Sequence, residues 1–448
     1  MRPPYPRHFK YIKANSVEEA LQYVEEGYRP LAGGQSISTL LKLGVVAHEG
    51  LVDIFELDEL RYIREEEKLK IGALLTHNDV AMHETVVRWA PALSLAAWHI
   101  ADLQVRNRGT IGGSLAHADP AANYPAVLAA LNAEVAVRRK KGVYIYPISQ
   151  FIKGPYETEA EDGLVVEIAV PKWSRQGVVV YKRRGASYPS LIIAVAAEEE
   201  NGVVTKSRIA VGGLYTRPVV LEGALDGLTP AEAKDRADKI AAEMPEGEPY
   251  DDPHMKYDEK RRLLPIFMSK ALAQLSGRAE WTLPKKREVE KWRGSGGNSA
   301  WINGGEFIID AEPRRLLIDF LREKGFKEVK RGCDEGRCGA CTVLLDGRAV
   351  KSCTIFAVQA AGHRVETVRS LQRGGQLHPV QKAFLEEYAM QCGYCTHGFI
   401  MAAVDYLRID PQARDDVLKL SVKNICRCTG YLNIIKAIKK ASVYLQSK

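Results

Sequence analysis

Residues 332–353 read GCDEGRCGACTVLLDGRAVKSC, with thiols at Cys333, Cys338, Cys341 and Cys353. The spacing is C-x4-C-x2-C-x11-C, which opens as the plant-type [2Fe–2S] pattern does. Three thiolates must converge on one small anionic cluster, so the chain between them has to loop tightly. Gly332, Gly336 and Gly339 are expected to adopt positive φ and to let backbone N–H groups face the cluster sulfurs. The fourth cysteine returns after a hairpin, Thr342 to Ser352, whose turn is Asp346-Gly347. The alternative is zinc. Zinc motifs usually show two CxxC or CxxH knuckles rather than this wider first gap.

The other four cysteines are Cys392, Cys395, Cys426 and Cys428, spaced C-x2-C-x30-C-x-C within QCGYCTHGF and NICRCTGY. Helices are expected at His378 to Met390, Phe399 to Leu407 and Tyr431 to Leu445, so both cysteine pairs fall where helices begin. Helix N-termini carry partial positive charge and favour thiolate. CxxC alone also fits zinc or a thioredoxin-like site, but a C-x-C partner is unusual for zinc knuckles. All eight cysteines lie after residue 332 and fall into these two sets. Cluster or metal ligation suits that distribution better than disulfides.

Composition sets outer bounds. A chain of 448 residues points to about three domains. The hydrophobic share, 46%, is ample for sizeable cores. The net charge of +7 is mild and spread along the chain, so nucleic acid is not implied. No stretch approaches the ~20 apolar residues of a membrane span. The polar N-terminus, MRPPYPRHFKYIK, lacks a signal-peptide core, and a cytoplasmic location is expected.

The N-terminal two-thirds hold no cysteine but two small-residue stretches. A strand near Tyr28 to Leu31 runs into Ala32-Gly33-Gly34-Gln35-Ser36, followed by a helical pattern. Thr110-Ile111-Gly112-Gly113-Ser114 reads as a second such turn. A glycine-rich turn exposes N–H donors that can hold a pyrophosphate. Either turn alone is as well explained by tight local structure. Two of them suit a dinucleotide lying in an extended groove. Farther on, strands are expected at Val178 to Val180 and Leu191 to Ala197. Pro230 to Met244 reads as one helix, with Thr229 as N-cap and Pro230 at N1. Asp258 to Leu275 reads as another, kinked or broken at Pro265. His77, His99 and His117 lack metal-ligand spacing and read as turn or core residues.

The AGGQS and TIGGS stretches, with the QVRNRGTIGG lead-in, resemble the FAD-binding medium subunit of the molybdenum hydroxylases. Both cysteine sets resemble the family's two-[2Fe–2S] small subunit. The resemblance implies an α+β fold. An FAD-binding domain would span 1–175 and an α+β flavoprotein domain 176–282. A charged, then Gly/Ser-rich linker would occupy 283–300. A β-grasp ferredoxin-like domain would follow at 301–375, and an all-α helical [2Fe–2S] domain at 376–448. The family usually keeps the two parts as separate subunits, or joins them with the iron–sulfur part first; here the flavoprotein part leads.

By the same resemblance, Ala32, Gly33, Gly34, Gln35, Ser36, Thr110, Ile111, Gly112, Gly113 and Ser114 hold FAD. Asn123 stands where the family often has an aspartate and would hydrogen-bond a sugar or ribitol hydroxyl. Lys182 would approach the flavin, with a purely structural role as its alternative. Gln391 matches a glutamine that touches the pyranopterin, and His397 replaces the family's usual proline. The implied cofactors are one FAD and two [2Fe–2S] clusters. The chain offers no molybdenum site of its own, so the implied partner is a large molybdopterin-binding subunit, in a higher-order dimer of the complex. The expected function is electron transfer from that partner through both clusters to FAD and an external acceptor. The alternatives are a self-contained NAD(P)H-dependent flavin and iron–sulfur reductase, and a zinc-bound scaffold.

Overall fold

The computed structural model describes residues 5–183, 185, 187–277, 284 and 297–447. The linker expected at 283–300 falls mostly outside them, and at its end Ser299 already begins a strand. The fold is α+β.

Strands Lys10–Lys13, Gly50–Asp53 and Arg29–Leu31 form a small parallel sheet with Gly50–Asp53 central. Every residue of that central strand is buried, as a strand covered on both faces must be. A five-stranded antiparallel sheet follows, in the order Ile63–Glu65, Leu69–Gly72, Leu164–Val170, Glu134–Arg139, Gly142–Pro147. Between its second and fourth strands runs a string of helices that includes Pro91–Trp98, Leu103–Arg106, Ile111–His117 and Asn123–Ala130. The last is buried along its whole length, which is why it is apolar all round.

A four-stranded antiparallel sheet comes next: Arg175–Tyr181, Leu191–Glu200, Val203–Gly212 and Val219–Glu222. Helix Tyr257–Leu272 packs on it through Leu264, Met268, Ala271 and Leu272. The helix continues unbroken through Pro265. Four buried apolar residues on one face outweigh the single backbone hydrogen bond that proline forgoes. The helix expected at Pro230 to Met244 is instead divided. Thr229 caps Pro230–Ala233 as a capping box with Glu232, but Lys234–Arg236 is a 3-10 turn that buries nothing. The chain resumes as Ala237–Glu243.

The C-terminal third opens as a β-grasp sheet in the order Gly305–Ile308, Ser299–Ile302, Arg364–Glu366, Thr342–Leu345, Arg348–Lys351. Its one parallel pair joins Ser299–Ile302 to Arg364–Glu366. Both hairpin turns, Asn303-Gly304 and Asp346-Gly347, have positive φ at both positions, the type I′ geometry that matches strand twist. Helix Leu317–Glu323 covers the sheet. Four helices complete the chain: Pro379–Glu386, Thr396–Ile409, Asp415–Ser421 and Leu432–Gln446.

The C-terminal third is docked on the rest through shared apolar cores. Phe9, Leu31, Leu41 and Leu51 lie in one core with Ile302, Leu317 and Phe356. Phe399, Tyr406 and Ile438 join the large core built on the five-stranded sheet and its helices. Residues 102–107 supply a buried polar seam between the two parts. Asp102 pairs with Lys351, each 2% exposed. Gln104 Nε2 donates to Asn424 Oδ1 at 2.8 Å. Arg106 donates to Leu420 O at 2.8 Å and Ser421 Oγ at 3.1 Å. Asn107 Nδ2 donates to Ala349 O at 2.8 Å and Asp405 Oδ2 at 2.7 Å.

Candidate functional site

The thiols of the first set meet in twos: Cys333 with Cys338, and Cys341 with Cys353. Backbone N–H groups of Glu335, Arg337 and Cys338 point at Cys333 Sγ from 3.4, 3.3 and 3.3 Å. The hydrogen bond from Cys338 and these N–H groups pull the Cys333 thiol down to about 5, against burial. Gly336 and Gly339 have φ near +71°, as the tight loop demands. Gly332 does not adopt positive φ. It is glycine for space, because a Cβ there would lie 2.5 Å from Cys338 Sγ. Cys341 and Cys353 are 3% and 2% exposed.

The second set also pairs, as Cys395 with Cys426 and Cys392 with Cys428. Cys395 directly precedes helix Thr396–Ile409. Thr429 donates to Cys426 Sγ through its N–H at 3.4 Å and its hydroxyl at 3.2 Å. Cys392 and Cys428 are exposed, and so is Gln391 beside them. Among the described residues no three His, Cys, Asp or Glu side chains converge as a lone ion would need. Thiols in two neighbouring pairs are what a two-iron cluster takes, two thiolates to each iron. Both sets fit that group.

The two sets are stitched together. Ile425 N donates to Cys338 O at 2.9 Å, and Asn424 Nδ2 to Gly339 O at 3.0 Å. A Cβ on Gly398 would lie 2.3 Å from Gly339 O, so the helix after Cys395 presses on the first cysteine loop. His397, in the first turn of that helix, is buried with Nε2 against Ala340 O. Burial pushes its pKa down, which favours a neutral ring serving as a tie.

The two glycine stretches also come together. A Cβ on Gly33 would lie 1.9 Å from Arg108 O, and one on Gly113 would lie 3.8 Å from Ala32 Cβ. Only Ala32–Ser36 is an irregular turn, with Gly34 at φ +72°. The second stretch is a helix start: Thr110 caps Ile111–His117 and its hydroxyl accepts from Gly113 N at 3.1 Å. Gly112 is glycine because a Cβ would lie 2.6 Å from Ala73 Cβ. The two stretches meet at a glycine-lined surface; in the second the N–H groups of Ile111, Gly112 and Gly113 are taken by Leu75 O, Ala73 O and Thr110 Oγ1, so backbone donors for a pyrophosphate would come from the first turn. His117, Asp119, Tyr156, Tyr188 and Tyr250 gather beside that surface. Tyr188 bonds Ser36 and feels Asp119 and Tyr156. Burial pushes the Asp119 carboxyl up. In the sequence His117 reads only as a turn or core residue, and the members of this group share no motif that would bring them together.

Asn123 and Lys182 are committed elsewhere. Asn123 is buried and donates from Nδ2 to Ala96 O at 2.9 Å. Lys182 donates to His99 O, and burial, with Lys423 and Arg106 nearby, holds its pKa well below the usual lysine range. The first glycine turn reaches the first cysteine set directly, since Thr354 Oγ1 donates to Gln35 Oε1 at 3.3 Å.

Residues 7–173 match the family described as the FAD binding domain in molybdopterin dehydrogenase. Residues 301–365 match the 2Fe-2S iron-sulfur cluster binding domain, and 367–439 the [2Fe-2S] binding domain. The 6-hydroxypseudooxynicotine dehydrogenase complex subunit beta of Paenarthrobacter nicotinovorans is 48% identical over 145 residues, 30% of this chain and 87% of that one. The glyceraldehyde dehydrogenase medium chain of Sulfolobus acidocaldarius is 37% identical over 220 residues, 48% of this chain and 78% of that one. The chain belongs to the molybdenum hydroxylase family. A solved carbon monoxide dehydrogenase from Hydrogenophaga pseudoflava superimposes with TM-score 0.56 at 32% identity, covering 60% of this chain and 98% of that one. As a molybdenum hydroxylase component, the chain is an oxidoreductase subunit for electron transfer, carrying FAD and two [2Fe–2S] clusters. Family membership favours this function over both the self-contained reductase and the zinc scaffold. Among the described residues no helix is long and apolar enough to cross a membrane.

Proposed function

We propose that this chain carries electrons inward from an exposed helical-domain cluster, through a buried plant-type cluster, to FAD. The ligands are Cys392, Cys395, Cys426 and Cys428 for the first, and Cys333, Cys338, Cys341 and Cys353 for the second. Pairing within each set supports this ligation. The observation that carries the order is the gradient of burial with direct contacts along it. Cys392 and Cys428 lie at the surface, Cys341 and Cys353 in the interior, and Thr354 touches the first glycine turn through Gln35. When bound, the clusters supply one-electron carriers and the flavin a two-electron store. The chain's own residues supply position: Asn424 and His397 hold the cysteine loops together, and Gln35 and Thr354 join the inner loop to the flavin turn.

FAD is assigned to Ala32–Ser36 and Thr110–Ser114, supported by their meeting. Asn123 and Lys182 act in this reading as supports, because Asn123 Nδ2 donates to Ala96 O and Lys182 Nζ to His99 O inside the protein.

The partner is a large molybdopterin-binding subunit. Its docking face is the rim of the outer cysteine set, where Gln391, Tyr394, Ile425, Tyr431 and Leu432 are all exposed. Apolar and aromatic side chains around an exposed ligand set suit a partner surface. A cytoplasmic location and a higher-order dimer of the complex belong to the same reading, which purification from the native source tests. Cys338→Ser tests the ligation: one of two distinct EPR signals should vanish with FAD retained. Loss of both signals, or of neither, would count against two separate cluster sites.

A further inference from the structure

Lys42 lies in helix Ile37–Leu43, directly after the first glycine turn. It is 3% exposed. Its ammonium reaches out of the flavin-binding part and donates 2.6 Å hydrogen bonds to the backbone carbonyls of Asp334 and Cys353. Asp334 follows Cys333, so both acceptors belong to the inner cysteine set. Among the described residues no carboxylate pairs with this ammonium. The nearby Arg331, by contrast, is matched by Asp319 and Asp334. A buried ammonium held only by carbonyl dipoles is costly, and its missing counter-charge needs a source.

Four thiolates and two sulfides around two ferric irons leave a net dianion, which gains one more negative charge on reduction. We propose that Lys42 is the counter-charge of the cluster at Cys333, Cys338, Cys341 and Cys353, a positioning residue lent by the flavin-binding part to raise that cluster's reduction potential. The inference rests on the ligand assignment above. A fixed positive charge in a low-dielectric interior favours the more negative redox state, and cluster potentials respond to net charge and burial. Lys42 reaches the cysteine loop only across the seam between the two parts. The inner cluster therefore becomes a good electron acceptor only when the flavin turn is docked beside it.

The test is an EPR-monitored redox titration of the full chain, loaded with FAD and both clusters. Lys42→Gln keeps a donor for the carbonyls and removes the charge; Lys42→Arg keeps the charge. The inner-cluster signal should shift to more negative potential in Lys42→Gln and stay near the unaltered protein in Lys42→Arg. The outer-cluster signal should not move in either. An unmoved inner-cluster potential in Lys42→Gln overturns the inference, as does an equal shift in both variants. If Lys42→Gln loses the inner cluster while Lys42→Arg keeps it, the charge is required for occupancy and the inference stands. If both lose it, Lys42 is purely structural and the inference falls. Cys338→Ser separates the two levels. If it fails to remove the titrated signal, the ligand assignment has failed; if it removes a signal that Lys42→Gln leaves unmoved, only the charge assignment has.

Discussion

Gly33 shows how one residue can serve a cofactor without touching it through a side chain. Its absent Cβ leaves the space that Arg108 O occupies, so the two glycine stretches can meet. Gly33→Ala should push them apart and lower the FAD content several-fold while iron content stays unchanged. Flavin and iron assays on the same preparation decide it, and equal losses of both would show general unfolding instead. At this scale the cysteines were legible because their spacing is itself the chemistry. Gln104, Arg106 and Asn107 were legible only as part of a flavin-domain signature. Their partners lie far along the chain, Asn424 being 320 positions from Gln104, and no local pattern announces a contact at that distance. Lys42 was invisible for the same reason: beside Leu40, Leu41 and Leu43 it reads as the polar side of a short helix.

Elements were read correctly where local chemistry and packing agree. The hairpin turn at Asp346-Gly347 and Thr229 as an N-cap are such cases. Reading failed where tertiary packing overruled a local signal, as at Pro265, or where a local signal found nothing to pack on, as at Lys234–Arg236. Thr110 tests an element whose character changed between sequence and structure. It is a helix cap rather than part of a turn, with its hydroxyl on Gly113 N. Thr110→Ala should cost about 1 kcal/mol of stability, seen as a lower thermal midpoint, and Thr110→Ser should restore most of it. If Thr110→Ala leaves the midpoint unchanged but lowers flavin content, the hydroxyl serves the cofactor instead of the helix.

At the scale of the whole molecule, the electron route exists only while the two parts stay docked, and part of that docking titrates. His363, from the C-terminal third, bonds Asp346 through Nδ1 at 2.6 Å and Glu56 of the flavin-binding part through Nε2 at 2.5 Å. Burial alone would push the imidazole down, but the two carboxylates outweigh it and raise its pKa from 6.5 to about 9. Glu56, also paired with Lys13, is lowered against burial from 4.5 to about 2 by His363 and Lys13. The histidine's folded value is the higher one, so its contribution is complete below 6.5 and lost as pH rises through about 9. The glutamate's folded value is the lower one, so its contribution is present above 4.5 and lost as pH falls through about 2. Glu56 is 42% exposed, and solvent screening makes its share the smaller. The histidine shift corresponds to at most about 3 kcal/mol, so thermal stability should fall on the alkaline side of neutrality. His363→Gln should unfold earlier than the unaltered protein near pH 6, and the two midpoints should converge toward pH 10, both pH values being approximate brackets of the titration. A gap that stays constant across that range would show that His363 acts through shape alone, and that the seam between flavin and iron–sulfur parts does not respond to its protonation.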